Sequence, residues 1–220
     1  MSSKNPPDAY RGFRSRLPDW LIGIPTARDQ GRVVSMLDLK PGDCVCDASC
    51  GPGFNLRRLV KAVGPRGLVV AVEESEHLLA RAGEKAARSG WANVRLSNRM
   101  EAALFEQRPV DGIIVSYNPP IFLQREDLLL SAWELLKPGG RLSLVAGRCT
   151  TPTGRMMGPL VRGGLMLLGH GNDWHYWTVH EPWAQLSELC DELTVKPYAG
   201  FQYLLLARKA AAAGRSDARG

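Results

Sequence analysis

The sequence predicts an α/β protein: a doubly wound, mostly parallel seven-stranded sheet with helices on both faces. Three observations carry this. Short apolar runs alternate with helix-patterned stretches from about residue 31 to 208, the alternation that builds parallel strands with right-handed crossovers. Runs such as Leu68-Val69-Val70-Ala71-Val72 and Ile113-Ile114-Val115 are apolar without interruption, as strands buried on both faces should be. The first strand, ending at Asp47, runs into a glycine turn, Ser49-Cys50-Gly51-Pro52-Gly53, and a helix opens near Phe54.

The elements follow in order. Residues 1–19 are polar, with Pro6, Pro7, Pro18, Arg11, Arg14 and Arg16, and read as a loose arm. Val33, Val34 and Leu37 share one face of a helix expected over 26–37, and Lys40-Pro41-Gly42-Asp43 turns the chain into the first strand. Beyond the glycine turn, Leu56, Leu59, Val60 and Val63 recur at helical spacing up to Gly64-Pro65. The second strand ends at Glu73. Ser75 and Glu76 then suit the start of a helix reaching Arg88. Val94–Leu96 and Ile113–Tyr117 give the third and fourth strands, Leu128–Leu136 a helix, and Leu142–Val145 the fifth strand. Residues 147–180 break the alternation and gather seven glycines with Met156, Met157, Met166, Trp174 and Trp177. A helix over Trp183–Leu189 and strands at Leu193–Val195 and Tyr203–Ala207 complete the sheet, and residues 209–220 are expected to be a disordered tail.

With 220 residues, 45% hydrophobic and 23% charged, the composition is that of one ordinary globular domain. No apolar run approaches bilayer length and the N-terminus has no apolar signal core, so a cytoplasmic location is expected. Five cysteines without a scaffold pattern agree with a reducing compartment. Cys44 and Cys46 alternate on a strand, and with Cys50 they read as small buried apolar side chains, not as zinc ligands. The net charge of +6 permits an anionic partner without requiring one.

The chemistry concentrates at the glycine turn. Gly51 and Gly53 leave room for a ligand to approach the backbone, and the following helix points free N–H groups at the gap. Glu73 lies about twenty residues beyond, where a carboxylate accepts hydrogen bonds from ribose hydroxyls. That spacing fits a dinucleotide as well, but Asp47-x-x-Cys50-Gly51-x-Gly53 is not the pyrophosphate fingerprint. With Asp111-Gly112-Ile113-Ile114-Val115 and Leu136-Lys137-Pro138-Gly139-Gly140-Arg141-Leu142 downstream, the chain resembles the class I S-adenosylmethionine (SAM)-dependent methyltransferases. Ser49 stands where that family has its first glycine.

The resemblance implies SAM as cofactor, a Rossmann-like methyltransferase fold over 31–208, and residues 1–30 as an arm covering the cofactor. It implies that Asp47, Ser49, Cys50, Gly51 and Gly53 hold the amino-acid end, that Glu73 binds the ribose, and that Met100, with Asn98 and Glu101, borders the adenine. Asn118-Pro119-Pro120-Ile121 follows the fourth strand and resembles the motif by which some family members orient an amino nitrogen, so Asn118 is expected to line the site. Residues 147–180 are expected to form a lid over the acceptor, and His175 or His180 stands where a general base would serve. The Met-, Leu- and Trp-rich lid points to a small apolar or aromatic acceptor, such as a quinone, lipid head group or secondary metabolite. No metal is expected, and peripheral membrane contact is compatible with this reading. Three alternatives stay open: a nucleic-acid or protein N-methyltransferase using Asn118, an NAD-binding oxidoreductase, and a non-catalytic SAM-binding protein.

Overall fold

The computed structural model describes residues 19–100, 105, 108–116, 126–147, 156, 158–160, 162–163, 183–198 and 202–211. Helices α1 (Asp19–Met36), α2 (Leu56–Val63), α3 (Glu76–Arg88), α4 (Glu126–Leu135) and α5 (Trp183–Leu189) intersperse seven strands. These are β1 (Cys44–Asp47), β2 (Leu68–Val72), β3 (Val94–Ser97), β4 (Val110–Ser116), β5 (Leu136–Gly147), β6 (Cys190–Tyr198) and β7 (Gln202–Lys209). They form one sheet in the order β3-β2-β1-β4-β5-β7-β6. The first five pair in parallel, and β7 runs antiparallel between β5 and β6.

The strand pattern explains the two-faced core. Every residue of β1 and β2 is buried, so alternate side chains feed opposite faces. Cys44, Cys46, Val70, Ile113 and Val115 pack with Ala132 and Trp133 of α4 and Leu186 of α5. Val45, Val69, Ala71 and Ile114 pack with Val33, Val34 and Leu37 of α1, Leu56, Leu59 and Val63 of α2, and Ala82 of α3. Cys44 and Cys46 are core side chains, as their alternation predicts.

Several boundaries differ from the sequence expectation. Helix α1 begins before Thr26, runs through Pro25, and spans residue 30, so the arm and the domain share it. Ser143 Oγ donates to the Val33 carbonyl at 2.8 Å, fixing α1 to the sheet. Strand β5 reaches back to Leu136 through a register shift opposite Val110 and Gly112, where the Pro-Gly-Gly run suggests only a turn. Strands β6 and β7 are longer than their apolar cores because ladder bonds continue through polar residues such as Glu192 and Lys196. Lys209 Nζ donates to the carbonyls of Trp133 (2.8 Å) and Leu136 (2.7 Å), satisfying the otherwise orphaned end of α4. Among the described residues, no helix is long and apolar enough to cross a membrane.

Candidate functional site

Because β1 to β4 are parallel, their C-terminal ends meet along one rim, the usual ligand edge of such sheets. Asp47, Glu73, the loop after β3 with Met100, and Ser116 all lie there. The chain leaves β1 through a turn strapped to both neighbours. Ala48 N donates to the Ile114 carbonyl of β4 at 2.9 Å, and Cys50 N to the Val72 carbonyl of β2 at 3.0 Å. Gly51 and Gly53 both take positive φ, 54° and 79°. Among the described residues, a side chain on Gly51 would meet nothing within 4 Å, which leaves that face of the turn open to a ligand. Gly53 is different. A Cβ there would come within 2.7 Å of Leu56 Cδ1 and 3.4 Å of Ala82, so it lacks a side chain because α2 and α3 pack against it. Ser49 is not in the left-handed region, so the turn does not need a glycine there.

Glu73 is drawn into this turn. Its Oε2 accepts from Gly51 N at 2.9 Å and its Oε1 from Ser75 N at 3.0 Å. The carboxylate is buried, and burial raises its pKa against those two amides, with Glu74 adding to the rise. Each oxygen has taken one hydrogen bond, so both keep a lone pair for a diol. Ser75 also caps α3, accepting from Leu78 N at 3.5 Å.

Asp47 is fully buried at the base of the turn, and burial pushes its carboxyl up to about 7. Hydrogen bonds from Asn55 and the Ser49 backbone oppose that rise, and the charge of Glu73 adds to it. Asn55 donates through Nδ2 to Asp47 Oδ2 (3.3 Å) and to Ser116 Oγ (3.1 Å). Asp47 Oδ1 and Asn55 Oδ1 are buried with no donor among the described residues. Two orphaned acceptors beside a carboxylate leave the pocket short of donors, and a cationic ligand group carrying N–H bonds would supply them.

Of the expected site residues, the structure brings Asp47, Ser49, Cys50, Gly51, Gly53 and Glu73 together at the turn. The Cys50 side chain points away into the core, and burial holds its thiol well above the ordinary range. Met100 is half-buried and packs against the cluster containing Cys46 and Val72. Asn118, His175, His180, Trp174, Trp177 and Glu101 lie outside the described residues.

Three contributors escaped the sequence reading. Asn55 is one, and its position at the start of α2 was the available signal. An asparagine there normally caps the helix, yet this one makes no capping bond. Lys85 of α3 is the second. Its Nζ donates to the carbonyls of Pro52 (2.7 Å) and Gly53 (3.2 Å) and lies 5.4 Å from the Phe54 ring centroid, clamping the turn from below. Arg58 is the third. It ties the turn to α1 through the carbonyls of Ala27 (2.9 Å) and Phe54 (3.4 Å).

Residues 45–140 match the protein family described as "Methyltransferase domain". The chain is 32% identical over 146 residues to nocamycin O-methyltransferase of Saccharothrix syringae, covering 64% of this chain and 50% of that one. It is 36% identical over 96 residues to the tRNA (adenine(58)-N(1))-methyltransferase TrmI of Thermus thermophilus, covering 42% and 37%. The chain thus spans half or less of the length of these curated relatives. Its fold superposes on an O-methyltransferase family protein from Burkholderia thailandensis with a TM-score of 0.63, at 16% identity, covering 87% of this chain and 58% of that one. The strand order, the glycine turn with its tethered acid and the match over residues 45–140 together make the chain similar to the class I S-adenosylmethionine-dependent methyltransferases.

Proposed function

We propose that the chain transfers a methyl group from SAM to a nucleophilic atom of a small, apolar or aromatic acceptor. The observation that carries the cofactor half is Glu73, buried at the end of β2 and tethered to Gly51 N with acceptor capacity to spare. In this reading Glu73 takes the ribose hydroxyls, the open face of Gly51 admits the backbone-bound part, and the orphaned acceptors of Asp47 and Asn55 face the amino-acid cation. Met100 borders the adenine. SAM supplies an electrophilic methyl group on a sulfonium, and the protein's work is to align the acceptor with it and keep water out. Asn118, following β4, orients the acceptor, and His175 or His180 takes its proton where the nucleophile carries one.

The small-molecule acceptor rests on the apolar composition of residues 147–180 and on similarity to an enzyme named for a small molecule. A second reading, methylation of an RNA base nitrogen, is favoured by the similarity to a tRNA methyltransferase and by the net charge of +6. Labelled SAM offered with tRNA in one assay and with an extract of small metabolites in another separates the two. Label appearing in tRNA alone would replace the first reading with the second. For the cofactor, calorimetry should show SAM binding that Glu73→Ala weakens by about 1.5–3 kcal/mol, the scale of a hydrogen bond to a charged group. Unchanged affinity in the folded variant would remove the ribose role.

A further inference from the structure

The Asp47–Asn55 pair has one proton too few. Asn55 spends both amide hydrogens, one on Asp47 Oδ2 and one on Ser116 Oγ. What remains is two oxygen acceptors of the same pair, Asp47 Oδ1 and Asn55 Oδ1, both buried and both without a donor. A proton held by the Asp47 carboxyl supplies a donor that the pair lacks and removes a charge from the interior. Leaving the two acceptors as they are carries the desolvation cost of two unpaired polar atoms and of a buried carboxylate held by the Asn55 and Ser49 hydrogen bonds. Among the described residues, the surroundings offer no cation instead. The titratable groups facing Asp47 among the described residues are Glu73 from the end of β2, Cys46 on its own strand and Cys50 in the turn, while α2 brings Asn55 and β4 brings Ser116. Both thiols are held protonated by burial, so Glu73 is the one neighbour that carries charge, and its sign is the same as that of Asp47.

We propose that Asn55 is a positioning residue of the cofactor site, and that it and Asp47 hold one proton in the free protein which leaves to solvent when the ammonium group of the cofactor's zwitterionic amino-acid end enters. The step balances: the Asp47 O–H bond breaks, its electron pair stays on the carboxylate, and one positive charge enters the pocket as one leaves. The ammonium N–H groups of the ligand then serve the acceptors that the proton served before. Asn55 forgoes its helix-capping bond to reach this pair, which a residue placed for the stability of α2 would not do. The rise of the Asp47 carboxyl to about 7 agrees with a proton retained near neutral pH. The inference rests on the reading of this turn as a SAM site.

The test is calorimetry on the full chain with S-adenosylhomocysteine, which carries the ammonium, and with adenosine, which carries no cation. Each titration is run near pH 6 in two buffers of different ionisation enthalpy, so that protons released are counted. The expected result is close to one proton released with S-adenosylhomocysteine, none with adenosine, and an affinity that falls about tenfold per pH unit below the Asp47 titration. Asp47→Asn should release no proton, and Asn55→Leu should move the midpoint of the affinity–pH profile, which a role confined to packing would leave in place. Infrared spectra of the free protein near pH 6 should contain a protonated-carboxyl stretch that Asp47→Asn lacks. Tight S-adenosylhomocysteine binding without proton release, equal release with adenosine, or absence of that stretch would each overturn the proposal while leaving the cofactor site intact. Binding of neither ligand at any pH would remove the cofactor reading along with it.

Discussion

Replacing Asp47 with asparagine should make the protein more stable and less able to bind its cofactor. The amide of Asp47→Asn carries no charge to bury, and its nitrogen brings N–H donors to a pair that is short of them. The energetic scale follows from the carboxyl's rise from 3.8 to about 7, roughly three pKa units, or about 4 kcal/mol at 1.36 kcal/mol per unit. The sign is that of an acid titrating higher in the folded state than in the unfolded one. Below the unfolded pKa both states hold the proton and nothing is lost. As pH rises towards the folded pKa the unfolded chain ionises first, stability falls, and above it the full cost is present. Urea unfolding near pH 8 should therefore show the variant more stable by up to about 4 kcal/mol, shrinking to about 2 kcal/mol near pH 5. A variant no more stable than the parent near pH 8, or a gain identical at both pH values, would refute the assignment of buried charge to Asp47.

The two turn glycines should separate under the same substitution. Gly51→Ala places a methyl in open space and should weaken SAM binding while the fold persists, whereas Gly53→Ala collides with Leu56 and should destabilise by about 1–3 kcal/mol; melting curves beside SAM titrations read both. Lys85→Met removes two charge-assisted bonds to the turn carbonyls and should lower stability by about 1–2 kcal/mol, with Lys85→Arg recovering part of it, checked by urea unfolding. The thiols of Cys44, pushed up to about 11, and of Cys46 and Cys50, held well above the ordinary range by burial, should alkylate slowly in the native protein and rapidly in urea, as mass spectrometry of iodoacetamide-treated samples would record.

What the sequence disclosed tracks how local each signal is. The glycine turn, Glu73 and the apolar strands are written in short runs whose meaning does not depend on distant residues, and the helix from Glu76 to Arg88 announces itself with Ser75 as its cap. The backward reach of β5 to Leu136 was not legible, because a Pro-Gly-Gly run reads as a turn until Val110 is known to lie beside it. Lys85 and Arg58 carry no motif. Each acts on backbone carbonyls that its own helix does not contain, a relation only the packing of α2 and α3 beside the turn creates. Asn55 was half legible: its residue type at a helix start was visible, and its refusal to cap was not.

The position of β7 bears on how this sheet comes into being. Though last in chain order among the described strands, it sits inside the sheet, with β5 on one side and β6 on the other. A nascent chain emerging through β6 has nowhere to dock that strand, since among the described residues β6 pairs with β7 alone. Until residues 202–209 leave the ribosome, β5 offers an open edge of unpaired amides and carbonyls, the kind of edge that recruits other chains. The Lys209 bonds to the end of α4 form last of all, so a single C-terminal segment both closes the sheet and finishes a helix some seventy residues upstream. The first five strands can assemble as synthesis proceeds, but the β5 edge should close only when this strand is released.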